Sequence, residues 1–226
     1  MKMYYSKILI DEIFDLLEKY YIKNKGVSEV IRKFENVSLT SKSFLNQTPN
    51  VAPKEESLLL ALKNISDEGL MSLKDSISNA LPELKWNIDN GSFYEENLDV
   101  GSGYLNGNMN CELIGPKNGI FKSLDFRLGL FLLEPGIFYR DHNHEAPELY
   151  LNLSNKTKWR FGSGQWKKYE QGSVIYNKPW KVHSMKVYDL PFLSVWCWPY
   201  NSLGKCNLIP KKDWNKIEKE MEKFHI

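Results

Sequence analysis

In Tyr139-Arg-Asp-His-Asn-His-Glu-Ala-Pro-Glu-Leu-Tyr150, two of the chain's four histidines, His142 and His144, stand one residue apart. Glu148 and Tyr150 follow at the same parity. Side chains alternate faces along an extended strand, so positions 142, 144, 148 and 150 are expected to point one way. Two imidazoles, a carboxylate and a phenol on one face suit a divalent metal ion. A histidine on an apolar strand is ordinarily a satisfied core residue. Here a third histidine, His183, falls on a later strand-like segment, and only His225 is left over at the C-terminus. That clustering favours a site over a purely structural role.

The 226 residues suit one domain with a helical extension, or two small ones. A formal charge of +2 comes from basic and acidic residues balanced along the chain, which gives nucleic-acid binding little support. Aromatic residues reach 13% and concentrate after residue 120, where they can line a pocket as well as fill a core. Cys111, Cys197 and Cys206 form no CxxC pair and leave an odd thiol, so a reducing compartment is expected. The N-terminus reaches an acidic residue too early for a signal peptide, and no apolar run approaches the ~20 residues of a membrane span. The expectation is a soluble, cytoplasmic protein without a membrane partner.

Residues 1–85 read as helical. Apolar residues spaced by three and four mark an amphipathic helix over 7–22, ended by Asn24-Lys-Gly26, and a second over 27–36. Residues 38–50 read as a loop. Pro53 suits the first turn of a third helix. Ser66 can cap a fourth, running to about Ala80 before Pro82. No chemical motif appears there; this third reads as a helical cap on a sheet or as a homodimer surface. From residue 86 turn signals crowd together. A long apolar run spans 121–134, and short strands are expected near 137–141, 147–153, 158–161, 165–169, 172–176, 181–187 and 192–198, with a hairpin connection over 152–157. Such a series suggests a β-sandwich or barrel. A last helix is expected over 211–223.

Two blocks carry the chemistry. The first is Gly136-x5-His142-x-His144-x3-Glu148, and the second runs from Gly172 to His183 with the Gly-to-His spacing of eleven. Together they resemble the two signature motifs of the cupin superfamily, with Asn155 standing where a terminal glycine is expected. The second block departs more: its proline, Pro179, is shifted by one and its inner glycine is replaced by Trp180 or Lys181. The resemblance implies a mainly β fold, a double-stranded β-helix or jelly-roll barrel over 86–226, with the N-terminal helical extension and a C-terminal helix. Tyr139 and Tyr150 flanking the histidines and Glu148, His183 further on, and Val195-Trp-Cys-Trp198 narrow the likeness. Over about 125–200 the chain resembles the cupin-type dimethylsulfoniopropionate (DMSP) lyases.

That resemblance implies His144, Glu148 and His183 as ligands of one divalent metal ion, with zinc, iron and manganese all admissible. Tyr150 would be a ligand or near-ligand, and His142 a ligand or a neighbour in the substrate site. Tyr150 would be the general base and Tyr139 its helper, and a small zwitterionic substrate would leave as dimethyl sulfide and acrylate. The chemistry is self-consistent. A free tyrosine titrates near about 10, and a neighbouring cation favours its phenolate. Aromatic faces attract a sulfonium, and Trp180, Trp196 and Trp198 lie near the site in sequence; the last two share parity. A ferrous dioxygenase, an isomerase or decarboxylase, and a non-catalytic ligand-binding cupin remain alternatives, because spacing does not name a metal and fold does not name a reaction.

Overall fold

The computed structural model describes residues 4–154 and 157–225; of Tyr20 only the backbone is described. Asn155, the residue in the place of the motif's terminal glycine, lies outside the described residues.

Four helices lead: α1 (Tyr4–Tyr21), α2 (Lys25–Phe34), α3 (Glu55–Lys63) and α4 (Met71–Ala80). Their boundaries follow the apolar spacing. α2 starts where Asn24 accepts from the Gly26 amide. Ahead of α4 it is Asp67, not Ser66, that caps, accepting from the Gly69 amide over a short 3-10 turn. The Ser66 amide instead donates to Gln171.

The strands form two opposed sheets. The first runs β2 (Phe121–Lys122), β1 (Asn108–Gly115), β3 (Arg127–Leu133), β10 (Phe192–Trp198), β5 (Glu148–Asn152), β8 (Val174–Asn177). The second runs β11 (Cys206–Leu208), β4 (Phe138–His144), β9 (His183–Val187), β6 (Thr157–Phe161), β7 (Lys167–Tyr169). The strands expected near 158–161 and 165–169 pair with each other as β6 and β7. The stretch 152–157 is not a hairpin: β5 and β6 lie in different sheets, so the chain crosses between layers there. The run 121–134, whose apolar sequence Asp125 and Arg127 interrupt, forms two strands, β2 and β3. Strands β1 and β11 and a short helix, α5 (Ser102–Gly107), were hidden among turn residues.

Period-2 alternation sorts the faces. Leu149, Leu151, Val195 and Cys197 pack outward with the apolar sides of the helices in one continuous core. Each Leu or Ile fully buried there contributes about 1.5–3 kcal/mol. Tyr150, Trp196 and Trp198 face the other way, into an aromatic core between the sheets. The C-terminal helix α6 (Trp214–Met221) covers the outer face of the second sheet through Trp214, Ile217, Met221 and Phe138. No helix among the described residues is long and apolar enough to cross a membrane.

Candidate active site

His142 and His144 lie on β4 and Glu148 and Tyr150 on β5. The two strands belong to opposite sheets, joined by a corner at Glu145, Ala146 and Pro147. The single-strand parity reading is corrected accordingly: the four side chains meet because two strands face each other across the barrel. His183 arrives from β9, directly paired with His142. Tyr139 has the wrong parity for this face. It reaches it because a bulge intervenes: Tyr139 pairs with Met185, and three residues later His142 pairs with His183, only two back. Tyr139 and His142 rings then lie 4.4 Å apart.

The three imidazoles offer nitrogens that all lie within 4.8 Å of one another, and all three are buried. Each is oriented by its own backbone. His142 Nδ1 meets the Arg140 carbonyl at 2.7 Å, His144 Nδ1 the Ala146 carbonyl at 2.7 Å and His183 Nδ1 the Lys181 carbonyl at 2.8 Å. A carbonyl only accepts, so each Nδ1 carries the proton and each Nε2 is left to bind something else. Glu148 Oε2 stands 3.2 Å from both His144 Nε2 and His183 Nε2. Its Oε1 accepts from the Trp198 indole at 2.8 Å, and Asn177 Nδ2 donates to Oε2 at 3.4 Å.

A carboxylate oxygen facing two such nitrogens needs protons or a cation between them. Burial first, then the His183 and His144 imidazoles, pushes His142 well below its ordinary value, so it stays neutral. His183 Nε2 is buried and, though close to Glu148, is misaligned and makes no hydrogen bond. Burial alone would raise the Glu148 carboxyl; the His144 and His183 imidazoles outweigh it and hold it well below the usual carboxylate range. An orphaned ring nitrogen on His183, a neutral His142 and an ionised carboxylate fit a divalent metal ion held by His142, His144, His183 and Glu148.

Tyr150 sits beside this cluster, 2% exposed. Burial first and the Glu148 carboxylate second push its hydroxyl well above the ordinary tyrosine value. Trp196 pairs with Tyr150 on one side and Gly129 on the other. The missing Cβ of Gly129 is what admits the indole, since it would stand 2.9 Å from Trp196 Nε1. Trp198 stacks obliquely on His144 at 4.6 Å. Trp180 is not brought in: it is 54% exposed, on the β8–β9 connection with φ +60°, and it meets β4 through its backbone, its amide donating to the His144 carbonyl and its carbonyl accepting from Asn143 Nδ2. Its turn conformation aims the side chain away from the barrel.

The cavity enclosed by these groups is about 40 Å³. Phe93 closes one side, edge-on to Trp196 and Trp198 at 6.0 Å each. A ligand of several heavy atoms therefore enters only if lining side chains give way. Phe93, Tyr104, Asn110 and Cys206 also line the cavity without having been singled out as site residues. Phe93 comes from an irregular segment and Tyr104 from the six-residue helix α5, both too short to show a period. Asn110 had a signal: in β1 Asn108, Asn110 and Glu112 alternate with Met109, Cys111 and Leu113, a polar face turned into the barrel.

Two opposed sheets with imidazoles and a carboxylate converging between them define a cupin. The family described as dimethylsulfoniopropionate lyase matches residues 23–194, and the chain belongs to that family of lyases. Two solved structures share the fold. One, described as DMSP lyases RdDddP and RnDddQII, is 19% identical with a TM-score of 0.66, covering 91% of this chain and 98% of the other. The other, DMSP lyase DddQ from Ruegeria pomeroyi DSS-3, is 16% identical with a TM-score of 0.65, covering 90% and 95%. No curated protein matches the chain.

Proposed function

We propose that this protein cleaves dimethylsulfoniopropionate to dimethyl sulfide and acrylate by β-elimination, with Tyr150 as the base. The observation that carries the reading is a phenol buried against the carboxylate of a three-imidazole cluster, inside an aromatic cage, in a chain of the DMSP lyase family.

The reaction removes a weakly acidic proton next to a carboxylate and expels a neutral sulfide. A bound divalent ion supplies Lewis acidity toward the substrate carboxylate and the positive charge that favours a nearby phenolate. The residues do the rest. His142, His144, His183 and Glu148 present the ligand atoms. Tyr150 accepts the proton from carbon. Tyr139, stacked at 5.0 Å on Tyr104 and against His142, assists or shields it. The face of Trp196 attracts the sulfonium by about 0.5–2 kcal/mol, whereas the Phe93 and Trp198 rings already carry the Arg127 guanidinium. The aromatic walls limit the water around the carbanion-like intermediate. A homodimer through the helical face and a cytoplasmic location are compatible with this reading.

The test is an anaerobic incubation of purified protein with DMSP and zinc, iron or manganese. Equimolar dimethyl sulfide in the head space and acrylate in solution are expected. Oxygen-dependent turnover, or none with any metal, would contradict the proposal.

A further inference from the structure

Trp198 ends β10, paired through its backbone with Arg127 on β3, and is buried. Its indole N–H donates to Glu148 Oε1 at 2.8 Å. Its ring lies 4.6 Å from the His144 imidazole. The Arg127 guanidinium stands 5.9 Å from its centroid, and Phe93 meets it edge-on. A ring occupied by an imidazole and a guanidinium is a poor seat for a cationic substrate. Its N–H shows a different use.

The two oxygens of Glu148 are held differently. Oε2 faces the imidazoles, 3.2 Å from both His144 Nε2 and His183 Nε2. Oε1 is engaged by the indole. Asn177 Nδ2 also approaches Oε2, at the longer distance of 3.4 Å. The Tyr150 hydroxyl reaches the same carboxylate, but a phenolate has no proton to give. An indole N–H does not titrate and only donates, so the donor on Oε1 persists when Tyr150 is the base. A carboxylate gripped by one oxygen presents the other to a cation among the imidazoles. Released, it can present both.

We propose that Trp198 is a positioning residue: its N–H restricts Glu148 to one oxygen toward the metal and so keeps a coordination position open for the substrate's carboxylate. Arg127, its neighbour on β3, presses on the indole that makes this contact. The assignment rests on the lyase reading above, in which that carboxylate meets the metal, and names the residue that reserves its place. A catalytic metal needs a position beyond those the protein fills, and a second Glu148 oxygen would compete for it.

The test uses cobalt(II), whose visible absorption reports its coordination, bound to the full chain. Two replacements at position 198 delete the donor: Trp198→Phe, and the benzothiophene isostere of tryptophan, which keeps the shape of the ring and lacks the N–H. In the wild type, acrylate should shift the cobalt bands. Both variants should keep cobalt through dialysis and show the weaker bands of higher coordination before acrylate is added. Both should bind acrylate about 10–100-fold more weakly, the usual loss when a partner behind a metal ligand is removed. A merely structural tryptophan would leave the bands and the acrylate titration of the isostere variant as in the wild type, and that result overturns the proposal. Loss of cobalt from the isostere variant overturns it too, because Glu148 would then depend on the indole to bind metal at all. A wild-type spectrum indifferent to acrylate also overturns it; release of dimethyl sulfide by the zinc-, iron- or manganese-loaded protein then decides the lyase reading separately.

Discussion

Each imidazole of the cluster spends its Nδ1 proton on a nearby backbone carbonyl, which fixes both tautomer and ring plane. Removing one ring should therefore cost the metal and little of the fold. His144→Ala and His183→Ala are expected to lose most bound metal in elemental analysis after dialysis; full occupancy in both would remove them as ligands. Gly129 matters for a different reason. Its Cβ would meet the Cys111 carbonyl at 2.2 Å and the Trp196 indole at 2.9 Å. Gly129→Ala should destabilise by about 1–3 kcal/mol in urea unfolding, the usual cost of overpacking, and should quench or shift Trp196 fluorescence. The convergence of His142, His144, His183 and Glu148 was legible in the sequence because metal-ligating residue types are chemically rare and their spacing is short. Asn110 was legible only in part: the polar alternation of β1 marks an inward face, but not that this face reaches the cavity.

At the scale of elements, the bulge in β4 is the device that sequence parity could not anticipate. It turns Tyr139 to the same side as His142 and turns Asp141 outward under α6. Asp141 is fully buried there, receiving Arg160 Nη2 at 2.6 Å, Trp214 Nε1 at 2.9 Å, Ser184 Oγ at 3.2 Å and Lys211 Nζ at 3.2 Å. Asp213 also pairs with Arg160, but its side chain is 43% exposed. Asp141→Ala should cost about 3 kcal/mol, because it strands buried donors and part of a cation. Asp213→Ala should cost less than about 1 kcal/mol. Comparable losses in chemical denaturation would mean that α6 is not anchored through Asp141. The apolar spacing marked the long helices and most strands. It missed β1, β11 and α5, which are short or carry the polar and glycine residues that also make turns. It misread 152–157 because a strand pattern does not say which sheet the next strand joins.

For the whole molecule, the cluster couples stability to pH. His142 is held below its ordinary 6.5 by burial and by the neighbouring imidazoles, so in acid the unfolded chain takes a proton that the folded chain refuses. Glu148, whose carboxyl the His144 and His183 imidazoles hold below its ordinary 4.5 against the opposing effect of burial, acts in the same direction at lower pH. Metal-free protein should therefore lose stability on acidification, starting near about pH 6.5 and continuing below about 4.5. Thermal unfolding of chelated protein between pH 8 and pH 4, roughly the window those values set, reads this directly. A flat profile to pH 5, about midway, would mean that His142 is not held neutral. The helical extension, one core with the outer face of the first sheet, should melt together with the barrel.

The central claim is that a cation gathered by three imidazoles and Glu148 makes the buried Tyr150 a base. Its most direct measurement compares metal content and dimethyl sulfide release for the wild type and Tyr150→Phe under the same anaerobic conditions. The account predicts equal metal in both proteins and turnover lowered by at least about a hundredfold in Tyr150→Phe. Near-wild-type dimethyl sulfide release from fully metallated Tyr150→Phe would contradict it.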